Sequence, residues 1–256
     1  MIILEENKKQ KLACAVFDFD GTLSTLRCGW ESVMEPLMLE CIFGDKYTEE
    51  NVAEVKKYIA QSTGIQTILQ MKWLAERVKK EGKEALDPWA YKAEYNRRLM
   101  INVEKNKAEA KNGMADKYVM RGARAFLTAL KNKGVTLYAA SGTDEADVIC
   151  EAKILGLADF FEKIEGAKPH NEDCSKEATL KRLVSQSNGG LLVVGDGPVE
   201  IRLGKEFGAC TLGICGKEKE LCGFDEVKVS RLTSAGAHAL VDCFEETEKI
   251  IDWIEN

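Results

Sequence analysis

Residues 16–24 read VFDFDGTLS, and this stretch decides how the rest of the chain is interpreted. The apolar run KLACAVF leads directly into Asp18 and Asp20, which are separated by one phenylalanine, and Gly-Thr follows. The run predicts a short buried strand over residues 12–17. Two like charges at the end of a buried strand cost free energy unless a positive charge lies between them. The stretch therefore predicts a cation site just beyond a strand.

The overall composition is typical of a globular protein. The chain has 256 residues, of which 45% are hydrophobic and 30% are charged, and its net charge is −6. We therefore expect no nucleic-acid partner, because no basic stripe with interleaved aromatic residues is present. We also expect no membrane association, since no apolar run approaches the length of a membrane span. The opening MIILEENKKQK is a poor match to a signal peptide, so a cytoplasmic location is predicted.

Cysteine and histidine usage narrows the possible chemistry. The number of cysteines is odd, nine, and no C-x-x-C pair is present, so we expect reduced thiols rather than a disulfide framework or a structural zinc site. The chain has only two histidines, His170 and His238, which argues against a histidine-based triad. Catalysis is therefore expected to depend on carboxylates, lysine and a metal ion.

The hydrophobic pattern of the sequence changes twice along the chain. Residues 26–117 contain long stretches with helical periodicity and no strand signal, such as ESVMEPLMLECIF and IQTILQMKWLAERVKKEG. From residue 118 onward, apolar strand patterns alternate with helical ones. The predicted strands are VTLYAAS (135–141), FFEKIEGA (160–167), GLLVVGDG (190–197), CTLGIC (210–215) and AHALVDC (237–243). The predicted helices are residues 121–134, 144–156, 175–187, 200–208 and 244–256.

This alternation predicts an α/β fold. Apolar strands that alternate with helices indicate a parallel sheet covered on both faces by right-handed crossovers. We therefore predict a Rossmann-like parallel sheet core formed by residues 1–25 and 118–256. The mostly α-helical block, residues 26–117, is predicted to be a cap domain inserted into that core.

Polar residues stand at the ends of three predicted strands. Asp18 and Asp20 follow AVF, Ser141 opens the Ser-Gly-Thr after LYAA, and Asp196 follows LLVVG. Ligands of doubly wound sheets bind beyond the carboxyl ends of the strands, so these groups are expected to share one crevice. Three carboxylates require a cation, and hard oxygen ligands select Mg²⁺ over zinc. Thr22 and Ser141, with the glycine-rich turns, could then donate hydrogen bonds to a phosphate.

Together these motifs resemble those of the haloacid dehalogenase (HAD) superfamily. DFDGTL, the strand-end serine of ASGT, a following lysine and VVGDGPVE correspond to its four sequence motifs. The helical block between the first and second motifs resembles the branch of phosphoglycolate-phosphatase-like and β-phosphoglucomutase-like enzymes. The resemblance implies an Mg²⁺-dependent phosphatase that hydrolyses a small phosphorylated metabolite through an aspartyl-phosphate.

The resemblance also implies a role for each motif residue. Asp18 would be the nucleophile, and Asp20 would be the general acid and then the general base. Dehalogenating members lack the second aspartate, so its presence here points to phosphoryl transfer. The phosphate would be held by Thr22, Ser141 and Gly142. The metal would be held by Asp18, Asp196 and the backbone carbonyl of Asp20.

The sequence departs from the family pattern at one position and is ambiguous at another. Glu200 stands where a second aspartate is common, and we expect it to contact a metal-bound water or the lysine. The catalytic lysine is either Lys176, at a predicted helix start after Ser175, or Lys168 in GAKPH. Lys176 is favoured, because a helix that starts there leads directly to the strand before Asp196.

Other interpretations remain open at this point. A phosphosugar mutase would use the same aspartyl-phosphate, and a non-catalytic phosphate-binding module would keep the fold alone. Arg27 or Trp30 could overhang the site, since both closely follow the first motif. Five aromatic residues of the helical block are interpreted as helix packing; they are Trp30, Trp73, Trp89, Tyr91 and Tyr95.

Overall fold

The computed structural model describes residues 1–5, 11–168, 176–186 and 189–255. Its main sheet has seven strands in the spatial order β1-β9-β6-β5-β2-β3-β4, and a separate sheet pairs β7 with β8. All neighbours in the main sheet are parallel except β1 and β9, which are antiparallel. The strands are β1 (Ile2–Ile3), β2 (Leu12–Phe17), β3 (Thr136–Asp144), β4 (Lys163–Ala167), β5 (Gly190–Gly195), β6 (Cys210–Ile214), β7 (Gly216–Lys217), β8 (Cys222–Phe224) and β9 (Ala239–Val241).

The described α-helices occur in two groups. Five of them lie between β2 and β3; the first four form one group, and the fifth belongs with those that alternate with the strands, which confirms the predicted α/β class. The first group is α1 (Glu31–Phe43), α2 (Glu49–Ser62), α3 (Thr67–Lys80) and α4 (Pro88–Glu109). The second group is α5 (Ala123–Asn132), α6 (Glu145–Ile154), α7 (Lys176–Gln186), α8 (Pro198–Glu206), α9 (Glu226–Ala235) and α10 (Thr247–Glu255).

The central strands are apolar because both faces of the sheet are covered. Every residue of β5 is buried, as are the last four residues of β2. Phe17 packs on one face with Phe126 and Phe244, whereas Val16 packs on the other face with Leu183 of α7. This alternation follows the two-residue period of a strand, and it anchors the carboxyl end of β2 at the middle of the sheet.

Helices α1 to α4 have a hydrophobic core of their own. Met38 of α1, Leu74 of α3 and Leu99 of α4 belong to one buried cluster that does not include residues of the main sheet. The structure thus places a helical bundle between β2 and β3 of the core. The predicted limits of the cap at residues 26 and 117 stay a prediction.

Helix α9, the β7–β8 hairpin and the edge strand β1 are not predicted by the sequence pattern. Helix α9 has several β-branched residues, which weaken a helical pattern. Its ends nevertheless carry readable signals. The Asp225 side chain accepts hydrogen bonds from the backbone N–H groups of Val227 and Lys228, and Gly236 ends the helix with a φ of 89°. An acidic N-cap ahead of a helix that stops at a glycine could have revealed this element.

The expectations about disulfides and membrane spans can be compared with the described part of the chain. None of the eight described cysteines forms a disulfide, and Cys174 lies outside the described residues. The predicted N-cap Ser175 and the histidine His170 lie outside them as well. Within the described ranges, no helix combines the length and apolar character needed to cross a membrane.

Candidate active site

The carboxyl ends of β2, β3 and β5 meet at one cavity of about 90 Å³. Asp18 and Asp20 reach it from the end of β2, Ser141 and Gly142 from β3, and Asp196 from the residue after β5. Parallel strands place their carboxyl ends on one edge of a sheet, which is why residues far apart in the sequence converge here. The cavity therefore gathers the polar strand ends that the sequence analysis singled out.

Asp18 lies at the centre of a buried charge cluster. The Lys176 Nζ atom is 2.7 Å from Asp18 Oδ1 and 3.2 Å from Glu200 Oε2. The Thr22 hydroxyl group lies 3.5 Å from Asp18 Oδ2 and 3.4 Å from Asp196 Oδ1. Thr22 is fully buried, so its hydroxyl group cannot bond to bulk water and has these two carboxylates as its neighbours.

The pKa values of this cluster follow from burial and close charges. Burial raises the pKa of Asp18 well above its ordinary value, and the Glu200 and Asp196 carboxylates raise it further against the lowering effect of Lys176. Burial opposes the charge of Lys176, but Asp18 and Glu200 outweigh it and raise the lysine pKa, so the ammonium stays protonated. The three carboxylates thus favour an additional positive charge among them.

The same carboxylates fit a divalent metal ion. Oxygen atoms of Asp18, Asp196 and Glu200 lie within 4.8 Å of one another, and all three side chains are buried. Hard carboxylate oxygens are the ligands that Mg²⁺ prefers, and a second positive charge would lower the raised pKa of Asp18. The donor set and its charge balance therefore suit Mg²⁺.

Asp20 has different surroundings from Asp18. Its Oδ2 atom accepts hydrogen bonds from the hydroxyl groups of Ser141 at 3.1 Å and Thr143 at 2.8 Å. Its Oδ1 atom is buried and has no hydrogen-bond partner among the described residues, and the Arg27 Nε atom lies 3.8 Å away. Asp20 is held by hydroxyl groups at the cavity, whereas Asp18 is held by an ammonium group.

Lys176 and Lys168 occupy different places. Lys176 begins α7, is buried and contacts Asp18, whereas Lys168 is exposed just after β4. Glu200 connects Lys176 to the start of α8, because its Oε1 atom accepts a hydrogen bond from the Gly197 N–H at 2.7 Å. These contacts support Lys176 as the catalytic lysine and agree with a contact between the lysine and Glu200.

Two glycines allow close approach at the site. Gly21 has a φ of 76°, and a Cβ atom there would lie 2.5 Å from Asp196 Oδ2. A Cβ atom on Gly142 would lie 2.5 Å from the backbone oxygen of Ile65, just before α3. Gly21 therefore lets the Asp196 carboxylate approach β2, and Gly142 lets the helical bundle approach β3.

The sequence analysis missed a set of charged residues around Asp196. The Lys228 Nζ atom lies 2.8 Å from Asp196 Oδ2 and 2.9 Å from Glu218 Oε1. Arg231 donates to the Asp196 backbone oxygen at 2.9 Å. Burial opposes ionisation of Asp196, yet Lys228 and Arg231 together lower its pKa. The two cations come from α9, which was not predicted, so only the capping signals of that helix could have drawn attention to them.

The helical bundle supplies the remaining wall of the cavity. Trp30 and Tyr95 both line it, and they also pack in the hydrophobic core of the bundle, as their interpretation as packing residues predicts. Trp73 does pack within the bundle, where its ring stacks on Tyr58 with centroids 3.7 Å apart. Arg27, which the sequence left open, also lines the cavity.

Solved structures with the same fold cover nearly the whole chain. A candidate β-phosphoglucomutase from Bacteroides vulgatus is 17% identical, with a TM-score of 0.64 over 97% of this chain and 90% of that one. A predicted phosphoglycolate phosphatase from Haemophilus somnus is 15% identical, with a TM-score of 0.61 over 94% and 98%. A phosphonoacetaldehyde hydrolase-like protein from Oleispira antarctica is 14% identical, with a TM-score of 0.62 over 100% and 96%. At these identities the likeness concerns the fold.

A family model gives the assignment that the fold alone does not. No curated protein matches the chain. The model of the haloacid dehalogenase-like hydrolases matches residues 12–208, which include the motif residues from Asp18 to Glu200. The chain therefore belongs to the haloacid dehalogenase-like hydrolase family.

Proposed function

We propose that this hydrolase is an Mg²⁺-dependent phosphatase that acts on a small phosphomonoester through an aspartyl-phosphate. The observation that carries the proposal is the pairing of two differently held carboxylates at one cavity. Asp18 contacts the Lys176 ammonium group, whereas the side chain of Asp20 meets, among the described residues, two hydroxyl groups and a more distant guanidinium. A nucleophile that must stay ionised and an acid that must exchange a proton need this kind of difference.

The reaction has two phosphoryl transfers. In the first, an Asp18 carboxylate oxygen bonds to phosphorus, the bond to the leaving oxygen breaks, and Asp20 gives that oxygen its proton. In the second, Asp20 takes a proton from a water molecule, whose oxygen bonds to phosphorus. The bond to Asp18 then breaks, so that inorganic phosphate leaves and both carboxyl groups return to their starting forms.

The surrounding residues would position and neutralise the phosphoryl group. Lys176 would offset the charge shared by Asp18 and the phosphate, and the Ser141 hydroxyl and Gly142 backbone would hold phosphate oxygens. Thr22 was predicted to hold phosphate as well, but its contacts favour a role in holding the carboxylates. Mg²⁺ would be held by Asp18, Asp196 and the Asp20 backbone carbonyl, and would supply positive charge against the phosphate oxygens.

The first experiment compares wild type with Asp18→Asn. Phosphate release is measured from a panel of phosphorylated metabolites and from p-nitrophenyl phosphate, with and without Mg²⁺. The introduced amide lacks the nucleophilic carboxylate, so we expect Mg²⁺-dependent release to fall by at least about a thousandfold. Asp252→Asn is the matched control, because Asp252 is an exposed carboxylate of α10.

Three other outcomes would contradict the proposed nucleophile or favour a different function. Release that survives Asp18→Asn would contradict the proposed nucleophile. An isomerised sugar phosphate without free phosphate would favour the mutase. No turnover of any compound by a folded wild-type protein that still binds phosphate would favour a non-catalytic module.

A further inference from the structure

The part of the cavity beyond the reacting carboxylates has an uncharged wall. Helices α3 and α4 and the segments before α1 and α3 contribute aromatic, aliphatic, amide and hydroxyl side chains there. The residues of this wall, called the leaving-group wall below, are Trp30, Ile65, Thr67, Gln70, Tyr95 and Leu99. These groups offer apolar surface and neutral hydrogen-bonding partners, but no formal charge.

Arg27 is the one arginine among the described residues that line the cavity, and it is already engaged. Its Nη2 atom lies 2.7 Å from Glu151 Oε1 and its Nε atom lies 3.2 Å from Glu151 Oε2. Asp147 adds a third carboxylate contact at 3.4 Å, and Asp20 lies 3.8 Å away. Carboxylates therefore surround Arg27, and Glu151 is fully buried with it.

Two other described cations near the cavity are also paired with carboxylates, whereas Arg231 is outside the cavity lining and donates to the Thr63 hydroxyl group and the Asp196 backbone oxygen. Lys176 contacts Asp18 and Glu200. Lys92 of α4 forms an ion pair with Asp144 at the end of β3. Among the described residues that line the cavity, Arg27 and Lys176 are thus the cations, and both are matched by carboxylates.

Burying a second anionic group here would leave it without a matching cation. A buried charge is costly unless it is paired, and the nearby Asp20, Asp147 and Glu151 carboxylates would add repulsion. A neutral hydroxylated group would instead find hydrogen-bonding partners at Gln70, Thr67 and Tyr95 together with apolar surface.

We infer that the substrate is a phosphomonoester whose leaving group is neutral and hydroxylated, and that a second carboxylate or phosphate on the substrate is disfavoured. This inference rests on the proposed function and names the substrate class of that site. The inference distinguishes between candidate substrates that the fold alone leaves equal. The leaving group of phosphoglycolate carries a carboxylate, whereas that of a simple sugar phosphate does not.

The test uses matched pairs of compounds that differ in one carboxylate. Glucose 6-phosphate is compared with 6-phosphogluconate, and glycerol 3-phosphate with 3-phosphoglycerate, each as an inhibitor of p-nitrophenyl phosphate hydrolysis by the Mg²⁺-loaded enzyme. Competition reports binding whether or not a compound is turned over. In each pair, we expect the compound without the carboxylate to bind at least about tenfold more tightly. An unpaired charge in a partly buried site costs about this factor in affinity.

The outcomes separate the inference from the proposed function. Equal binding of both members, or tighter binding of the acidic member, overturns the inference while p-nitrophenyl phosphate hydrolysis still supports the phosphatase. Absence of p-nitrophenyl phosphate hydrolysis by folded enzyme contradicts the proposed function, and the substrate class falls with it.

A charge introduced into the leaving-group wall provides an independent test. Thr67 is only partly buried at the start of α3, so a longer side chain can be accommodated there. Thr67→Lys supplies a cation, and we expect it to shift the binding ratio toward the acidic member of each pair by about tenfold. Thr67→Gln is the matched control of similar length without charge. A ratio that is unchanged in folded Thr67→Lys, or equally shifted in Thr67→Gln, contradicts the inference.

Discussion

Asp18 and Asp20 are separated by one residue, yet the fold gives them different partners. Asp18 faces the buried ammonium group of Lys176, and Asp20 faces the hydroxyl groups of Ser141 and Thr143. The partner of Asp18 comes from α7 and those of Asp20 come from β3. At the scale of single residues, the proposed division of labour therefore depends on which element each carboxylate meets.

Asp20→Asn tests that division directly. The introduced amide cannot take a proton from water, so we expect the aspartyl-phosphate to accumulate and kcat to fall by about 10²–10⁴-fold. p-Nitrophenyl phosphate is the substrate of choice, because its leaving group needs little help from an acid and the first transfer survives. Acid-quenched protein is analysed by mass spectrometry for one added phosphoryl group. An inactive variant that carries no phosphoryl group would contradict the role of Asp20 in the second transfer.

Glu151 predicts a pH dependence of stability. Burial and the nearby Asp20 carboxylate raise its pKa from 4.5 to about 7, although Arg27 opposes the shift and Asp147 adds to it. The folded state therefore binds a proton that the unfolded state has lost between these pH values. The Glu151 contribution to the free energy of unfolding is then present below pH 4.5 and is lost as the pH rises through about 7.

Glu151→Gln removes the titrating group and keeps the shape of the side chain. We expect the variant to lose less stability than wild type between pH 4.5 and pH 7, measured by urea unfolding at several pH values. Glu248→Gln is the control, because Glu248 is exposed on α10. Parallel pH profiles for wild type and Glu151→Gln would contradict this prediction.

At the scale of elements, the two ends of α5 carry glycines with the same backbone conformation and different surroundings. Gly122 precedes the helix with a φ of 75°, and Gly134 follows it with a φ of 79°. A Cβ atom on Gly122 would lie 2.3 Å from the backbone carbonyl carbon of Phe244, whereas one on Gly134 would meet nothing within 4 Å. The start of α5 is therefore fixed by tertiary packing, and its end is fixed by local conformation.

Alanine substitutions separate these two effects. Gly134→Ala should cost about 1–2 kcal/mol of unfolding free energy, which is the penalty for a left-handed backbone with a side chain. Gly122→Ala should cost about 2 kcal/mol more, because backbone must also move. Urea unfolding of both variants measures the difference. Equal losses would show that the Phe244 backbone shifts away without cost.

At the scale of the whole molecule, the buried carboxylates connect metal binding to stability. Asp18, Asp196 and Glu200 come from the end of β2, the end of β5 and α8, so a metal ion among them would hold separate elements together. A ligand that binds only the folded state stabilises it, and the effect grows as its concentration rises above its Kd.

Mg²⁺ is therefore expected to raise the melting temperature. At a metal concentration about a hundred times its Kd, the shift should be about 5–10 °C for a chain of this size. Asp196→Asn removes one ligand and should abolish most of the shift, and Asp252→Asn should retain it. Differential scanning calorimetry in the absence of substrate gives this readout without activity. A wild-type melting temperature that does not change when Mg²⁺ is added would contradict the proposed metal site.

Local patterns in the sequence determined most of the strands, most of the helices and the class of the fold. The apolar run before Asp18 and the run before Asp196 predict β2 and β5, because parallel strands buried on both faces are continuously apolar. The helical period of residues 26–117 predicts the bundle for a similar local reason. The motif residues were readable because most of them directly follow a strand.

Tertiary structure decided which of the readable residues meet, and which others join them. Lys176 contacts Asp18 while Lys168 is exposed, and Lys228 reaches Asp196 from a helix that the sequence pattern concealed. The pairing of Arg27 with Glu151, 124 positions away, sets the charge of the cavity wall. Periodicity and capping act within a few residues, whereas charge pairs across a sheet depend on how crossovers bring distant segments together. The sequence therefore determined the proposed reacting groups, and the fold determined their partners.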